Sequence, residues 1–230
     1  MKTLLLASTS SLFGQSYLEH LLPELETFLS RVDTLTFIPY ARPGGIPHED
    51  YTALVATAMA KINKKVRGLH SYTDPLEGIA RAEAIYTGGG NTFLLVRQLH
   101  QLGLMAPLKQ KIETGMPYFG CSAGSNIAGP NMQTTNDMPI VYPPSFDTLG
   151  VVDFNLNPHY LDPDPNSTHK GETRETRIRE FHYFNDTPVI GLREGNYIRV
   201  EGDRITLEGP GTARIFEAGK TPYESRELPF

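Results

Sequence analysis

Apolar residues along the first half of the chain alternate between two spacings. Short apolar runs predict buried strands, and they occupy residues 4–7, 35–40, 66–69, 84–86 and 116–119. The segments between them carry apolar residues at helical spacing and predict helices over residues 18–29, 51–61, 92–101 and 107–113. Strands that alternate with helices in this way favour a mostly parallel, flavodoxin-like sheet with helices on both faces.

The last part of the chain has a different pattern. Short strand-like segments are separated by glycine-containing turns, and they cover residues 188–192, 197–200, 204–207 and 212–216. The tripeptide Glu201-Gly202-Asp203 between two of these segments is typical of a hairpin turn. We therefore expect a C-terminal antiparallel extension of the sheet, within a single α/β domain that covers residues 1–230.

Composition narrows the class of protein. The chain has 230 residues, a net charge of -5 and no basic run, so a nucleic-acid partner is not expected. Cys121 is the only cysteine, which excludes an internal disulfide and is typical of a reducing, cytoplasmic location. The apolar run at residues 4–7 is too short for a signal peptide, and no later run predicts a membrane span.

The clearest chemical motif follows the strand predicted at residues 116–119. Gly120-Cys121-Ser122-Ala123-Gly124 has the G-x-S-x-G pattern, in which a serine on a sharp strand-to-helix turn projects its hydroxyl from the backbone. The glycines tolerate strained backbone angles, and the N-terminus of the next helix supplies unpaired N–H groups for an oxyanion. Ser122 is therefore the candidate nucleophile.

A serine nucleophile requires a general base, and His159 is the preferred candidate among the 7 histidines. It follows an apolar segment at residues 151–156 and the rigid Pro158, where a strand is expected to end. Ligand sites of parallel α/β sheets gather at the carboxyl ends of the strands. His169, in a polar stretch beside Lys170, is the competing candidate.

The third member of such a triad is a carboxylate that orients the imidazole. Asp137 lies between Ser122 and His159 in the sequence, whereas Glu194 follows an apolar strand and precedes Gly195. The structural alternatives are a turn-capping role for Asp137 and an ion pair between Glu194 and a nearby arginine. The residues alone leave both carboxylates open.

The tetrapeptide Gly88-Gly89-Gly90-Asn91 connects a predicted strand to a predicted helix. Such a turn is able to hold a phosphate at the helix N-terminus, but neither common nucleotide-binding spacing is present. We expect instead that Gly89 or Gly90 donates a backbone N–H to the oxyanion, opposite the N–H of Ala123.

Six sequence blocks together resemble the peptidase E family of aspartyl dipeptidases, serine peptidases built on the class I glutamine amidotransferase-like fold. The blocks cover residues 88–93, 120–126, 134–140, 157–159, 169–174 and 194–196. The resemblance runs nearly end to end. Two positions depart from the family pattern, since Cys121 stands in place of an aromatic residue and Ser125 in place of alanine.

The resemblance implies a serine hydrolase that uses no cofactor or metal and releases an N-terminal aspartate from dipeptides. By match, Ser122 is the nucleophile, His159 the base and Asp137 the orienting acid. Glu194 is the alternative third member, because related families use a glutamate there. The implied partner is a small peptide, with no membrane partner, and we expect a monomer or a homodimer.

The expected substrate requires two charged partners. An aspartyl side chain requires a cation, and Arg174, near the start of a helix predicted over residues 172–184, is expected to bind it. The free amine requires an anion, for which Glu172 and Asp137 are both candidates, and Asn91 is a further substrate-binding candidate. The alternative functions are an α/β-hydrolase-like esterase and a non-catalytic small-molecule binding protein of the same fold.

Overall fold

The computed structural model of the protein describes residues 1–166, 168 and 170–230. In chain order the strands are β1 (Thr3–Ala7), β2 (Thr34–Ile38), β3 (Lys65–Gly68), β4 (Ala84–Thr87), β5 (Tyr118–Cys121), β6 (Asn155–Pro158), β7 (Val189–Leu192), β8 (Tyr197–Glu201), β9 (Arg204–Glu208), β10 (Ala213–Phe216) and β11 (Tyr223–Ser225). The α-helices are α1 (Leu22–Phe28), α2 (His48–Ala60), α3 (Pro75–Arg81), α4 (Thr92–Gln101), α5 (Met105–Glu113), α6 (Ala123–Asn126) and α7 (Arg174–Phe181), with 3-10 turns at Glu19–Leu21 and Leu69–Ser71. Within the described ranges, no helix has the length and apolar character that crossing a membrane requires.

The larger sheet has seven strands in the order β3-β2-β4-β5-β1-β8-β9. Strands β1 to β5 run parallel to one another, whereas β8 is antiparallel to β1 and β9 is antiparallel to β8. A hairpin turn joins β8 to β9, and Gly202 in it has a φ of 64° that favours glycine. The predicted mostly parallel sheet and its antiparallel C-terminal extension are therefore confirmed.

A second sheet was not expected from the sequence. It has four strands in the order β11-β10-β7-β6, in which β6 and β7 are parallel and the other pairs antiparallel. Strands β7 and β10 therefore do not extend the larger sheet, as their position in the sequence had indicated. The physical reason is that β6 offers β7 a parallel edge, with Pro158 opposite Leu192.

The larger sheet is buried on both faces. Leu4 and Leu6 of β1 belong to one apolar cluster, whereas Leu5 and Ala7 belong to another, as the alternation of side chains along a strand requires. Helices α4 and α5 pack on the face that carries Leu4 and Leu6. Helices α1 and α2 pack on the opposite face, which carries Leu5 and Ala7. Burial on both faces explains why the strands are continuous apolar runs in the sequence.

The second sheet packs on the same side of the larger sheet as α4 and α5. Leu156, Ile190 and Ile215 join the cluster that contains Leu4. Helix α7 covers the opposite face of the second sheet, where Ile178 packs with neighbouring apolar side chains of β7 and β10. The second sheet therefore lies between α7 and the central core.

Four parallel strand ends fix the position of the candidate site. In the larger sheet Ala7 pairs with Cys121, the last residues of β1 and β5. In the second sheet Pro158 pairs with Leu192, the last residues of β6 and β7. The residues that follow each pair are therefore neighbours, at the strand ends where α/β proteins form their sites.

Candidate active site

The turn at Ser122 is strained. Its φ of 52° and ψ of -112° lie outside the regions that L-residues readily adopt, a conformation that costs ~1–3 kcal/mol. The Ser122 N–H donates to Ala7 O at 3.1 Å, and the Ser122 carbonyl accepts the N–H groups of Ser125 and Asn126 as α6 begins. These backbone contacts hold the partly exposed hydroxyl at the tip of a strand-to-helix turn.

Glycine is required on both sides of this turn by close packing. A Cβ at Gly124 would lie 2.1 Å from Thr87 O, and one at Gly120 would lie 2.5 Å from Gly124 O. The buried Ser125 strengthens the turn, because its Oγ contacts Ala7 O at 2.7 Å and Gly120 O at 2.8 Å. The serine at this position thus ties α6 to two strands, which an alanine would not do.

Cys121 points away from the nucleophile side. Its side chain is fully buried in the cluster with Leu5 and Ala7, and burial raises the pKa of the thiol well above its ordinary value. A thiol held in the protonated form is a poor nucleophile. The cysteine next to Ser122 is therefore a packing residue.

We expect iodoacetamide to leave Cys121 unmodified in the folded protein at about pH 8, because the thiol is buried and protonated. The same reagent should modify it fully in denaturant, which mass spectrometry would show. Cys121→Ala should retain activity within about threefold, since only packing changes. Rapid alkylation of the native protein with loss of activity would contradict this assignment.

The His159 ring lies between Ser122 and Glu194. Its Nε2 is 3.0 Å from Ser122 Oγ, and its Nδ1 is 2.6 Å from Glu194 Oε1. A carboxylate only accepts hydrogen bonds, so Nδ1 carries the ring proton and Nε2 presents its lone pair to the serine hydroxyl. This arrangement has the geometry of a nucleophile, a base and an orienting acid.

Asp137 occupies a different place from the one expected. Its Oδ2 accepts hydrogen bonds from Thr92 N at 2.7 Å, Thr92 Oγ1 at 2.6 Å and Thr135 Oγ1 at 3.1 Å. None of the hydrogen bonds among the described residues joins it to His159. The carboxylate sits at the N-terminus of α4, where the helix dipole favours negative charge. Of the two carboxylates, Glu194 contacts the imidazole, contrary to the preferred match to Asp137.

The expected oxyanion donors lie beside the nucleophile. A Cβ at Gly89 would be 3.0 Å from Ser122 Cβ, so the two backbones pack directly together. Tyr51 donates to Gly89 O at 3.1 Å, and in a trans peptide this points the Gly90 N–H in the opposite direction. The Ala123 N–H begins α6 and therefore has no partner within the helix.

A cavity of about 410 Å³ brings these groups together. Its lining includes Ser122, His159 and Glu194 along one side and both Asp137 and Arg174 elsewhere. A volume of this size is typical of small-ligand sites. The cavity therefore presents a serine hydroxyl, a carboxylate and a guanidinium to one small molecule.

Arg174 is the first residue of α7 and is half-buried. Its Nη1 donates to Pro158 O at 3.3 Å and also to the carbonyl of His159. Burial, and next the nearby charge of Arg177, lower the pKa of Arg174, although a guanidinium stays charged. An arginine carries several further N–H donors, so these contacts leave donors for a carboxylate.

Two expected substrate-binding residues lie outside the cavity. Asn91 caps α4, since its Oδ1 accepts the Leu94 N–H at 3.1 Å and its Nδ2 donates to Met138 O at 2.9 Å. Glu172 is exposed and lies 3.8 Å from Arg177, with which it forms a surface ion pair. The structure therefore gives Asn91 a capping contact and places Glu172 away from the cavity.

Sequence reasoning missed part of the cavity lining. Thr92 and Thr135 hold Asp137, and Asn136 donates to Pro158 O at 2.8 Å, next to the base. The available signal was weak, because the only cue was that Asn136 and Thr135 lie in the block matched at residues 134–140. His169, the competing base, lies outside the described residues.

Comparison with known proteins gives the family. The chain matches the family model described as "Peptidase family S51" over residues 4–208. It is 52% identical to the "Peptidase E" of Streptomyces coelicolor, over 96% of this chain and 90% of that one. It is 46% identical to the "Probable alpha-aspartyl dipeptidase" of Drosophila melanogaster, over 94% of this chain and 90% of that one.

A solved structure is also similar. The structure of a peptidase from an acI-B1 Actinobacterium superimposes with a TM-score of 0.70 at 17% identity, and covers 98% of this chain and 97% of that one. This likeness shows a shared fold. Together with the family match over residues 4–208, the sequence relatives establish that the chain belongs to peptidase family S51.

Proposed function

We propose that the protein is a serine-type aspartyl dipeptidase, which hydrolyses dipeptides that begin with aspartate. The observation that carries the proposal is one cavity holding the contacts Ser122–His159–Glu194 together with a half-buried Arg174. The names of the relatives, "Peptidase E" and "Probable alpha-aspartyl dipeptidase", support the same substrate class. Membership of a peptidase family favours this function over the esterase and the binding protein.

Acylation begins at Ser122. Its Oγ attacks the carbonyl carbon of the peptide bond, and its proton moves to His159 Nε2 across the 3.0 Å contact. Glu194 stabilises the imidazolium that forms, and the N–H groups of Ala123 and of Gly89 or Gly90 stabilise the oxyanion. The imidazolium then protonates the leaving nitrogen as the C–N bond breaks, which releases the second amino acid.

Deacylation uses the same base. A water molecule gives a proton to His159 Nε2 as its oxygen attacks the aspartyl ester on Ser122. The ester C–O bond breaks, Ser122 Oγ takes back the proton, and free aspartate leaves. Water is the only co-substrate in this cycle, and His159 carries every proton.

The charged residues that line the cavity explain the expected preference for an N-terminal aspartate. Arg174 offers a cation to the side-chain carboxylate, and its desolvation makes an anionic partner favourable. Asp137 is the anion for the free amine, because its carboxylate lines the cavity and Glu172 does not. Thr92 and Thr135 hold only Oδ2, which leaves Oδ1 as an acceptor for the ammonium.

We infer that the chain works as one domain, because the cluster that contains Leu4 also packs against Phe230 and includes both sheets. A cytoplasmic location is supported by the buried, unpaired thiol of Cys121, which fits a reducing compartment.

The direct test is hydrolysis of Asp-Leu beside Asn-Leu, Glu-Leu and N-acetyl-Asp-Leu. A site that holds a carboxylate rejects the uncharged analogue, because its own charge is left unpaired. We expect Asp-Leu to be preferred over Asn-Leu by ~2–5 kcal/mol in kcat/KM, about 30- to 5,000-fold. Equal rates on Asp-Leu and Asn-Leu, or rapid cleavage of N-acetyl-Asp-Leu, would contradict the proposal.

Arg174→Gln should remove most of that preference. Glutamine retains an N–H donor for the His159 carbonyl but lacks the charge, so Asp-Leu should slow and Asn-Leu should change little. Arg177→Gln is the matched control, because Arg177 lies on the same helix and pairs with Glu172 at the surface. An equal fall in the hydrolysis rates of Asp-Leu and Asn-Leu in Arg174→Gln would mean that Arg174 supports His159 and does not bind the substrate's side chain.

A further inference from the structure

We propose that Ser8 is a positioning residue for the base, which fixes the backbone of His159 and thereby the distance between the imidazole and Ser122. The proposal rests on the proposed role of His159 as general base. Ser8 is fully buried and follows β1 directly.

The contacts of Ser8 involve both its side chain and its backbone. Its Oγ accepts the His159 N–H at 2.9 Å and donates to Leu192 O at 2.7 Å. Its own N–H donates to Asn196 O at 3.1 Å. One small residue therefore binds the segment that carries the base and both ends of the segment that carries Glu194.

The two contacts of the Ser8 hydroxyl cross from one sheet to the other. Ser8 follows Ala7, which pairs with Cys121 beside the nucleophile, so Ser8 and Ser122 leave the larger sheet side by side. His159 and Leu192 belong to the end of the second sheet. The Ser8 hydroxyl is therefore a direct hydrogen-bonded link between the sheet of the nucleophile and the sheet of the base.

His159 needs such a link because its backbone is strained. Its φ is 53°, which is uncommon for a residue other than glycine and persists only when the surroundings impose it. Ser8 holds its N–H, and Arg174 holds its carbonyl. Both polar groups of a strained residue are thus fixed, from opposite sides.

Ser8→Ala would release one of these groups selectively. Leu192 O would retain the Tyr160 N–H at 3.1 Å, whereas the His159 N–H would lose the partner that the structure gives it. The backbone at His159 would then relax toward a less strained conformation and carry the imidazole away from Ser122. Substrate-binding groups such as Asp137 would keep their contacts.

The test is the kinetics of Ser8→Ala on Asp-Leu. We expect kcat to fall about 10- to 100-fold, the scale of a displacement of ~1 Å in a catalytic group, with KM changed less than about threefold. Thr148→Val is the matched control, because it removes a buried hydroxyl that bonds Gly129 O away from the cavity. It should lose stability to a similar degree and keep kcat within about threefold.

A second measurement separates positioning from general stability. In a His159→Ala background no imidazole remains to be placed, so adding Ser8→Ala should lower the residual rate less than about threefold. The same fold loss in both backgrounds, or an unchanged kcat for Ser8→Ala alone, would overturn the proposal. Full activity of His159→Ala alone would instead refute the proposed base, whatever Ser8 does.

Discussion

Ser122→Ala is expected to lower kcat on the order of 10⁶-fold, the loss measured when the nucleophile of a serine triad is removed. The hydroxyl is the only group at the strained turn that can form the acyl-enzyme, and it lies 3.0 Å from the base. KM should change little, because Asp137 and Arg174 remain in the cavity. Steady-state hydrolysis of Asp-Leu by Ser122→Ala and by wild-type protein prepared in parallel measures both kcat and KM.

Ser125→Ala is the matched control for the nucleophile. Ser125 is a second serine of this turn, but it is buried and its hydroxyl donates to Ala7 O and Gly120 O. Its loss should cost ~1–3 kcal/mol of folding free energy and little of the chemical step. A serine-directed fluorophosphonate should label wild type and Ser125→Ala, but not Ser122→Ala. Near-normal turnover by Ser122→Ala would rule out the acyl-enzyme on this residue.

Glu194→Gln is expected to lower kcat about 10⁴-fold, as when the acid of a worked triad becomes an amide. The amide would donate to Nδ1 and so favour the wrong tautomer of His159, which would place a proton on Nε2. Asp137→Asn should act differently, because Asp137 contacts Thr92 and Thr135 in place of the imidazole. Its main effect should be a rise in KM for Asp-Leu, since the substrate ammonium loses its anion.

The comparison of these two variants is decisive. If Asp137→Asn lost about 10⁴-fold in kcat and Glu194→Gln retained most activity, the orienting acid would be Asp137. The contact between His159 and Glu194 would then have no catalytic role. A thermal unfolding curve for each variant separates loss of structure from loss of chemistry.

Local hydrophobic spacing predicted most of the larger sheet. The strand at residues 4–7 and the helix at residues 51–61 were placed within three residues of β1 and α2. Helix α3 was missed because it is short and buries only Gly78 and Ile79, so its apolar pattern is weak. Strand β11 was missed because its residues are mostly exposed at the edge of the second sheet.

The candidate site was predictable only where the signal was local. Ser122 is marked by its own pentapeptide, and His159 by the end of an apolar segment. The choice between Asp137 and Glu194 depends on a non-local fact, the parallel pairing of β6 with β7 that brings residues 159 and 194 together. The hydrogen bond between Thr92 and Asp137 is also non-local, and no sequence motif predicts it.

The two side-chain contacts of the His159 imidazole have different structural origins. Separation of the imidazole from the Glu194 carboxylate is governed by the hydrogen-bonded register of two adjacent strands, which is stiff. Separation of the imidazole from Ser122 spans the two sheets, and the Ser8 hydroxyl together with the side chains packed between the sheets constrains it less than continuous strand pairing would. Temperature, pressure or a distant change in the core would therefore act first on the 3.0 Å contact. We therefore expect the turnover rate to respond to changes in the packing between the larger sheet and the second sheet.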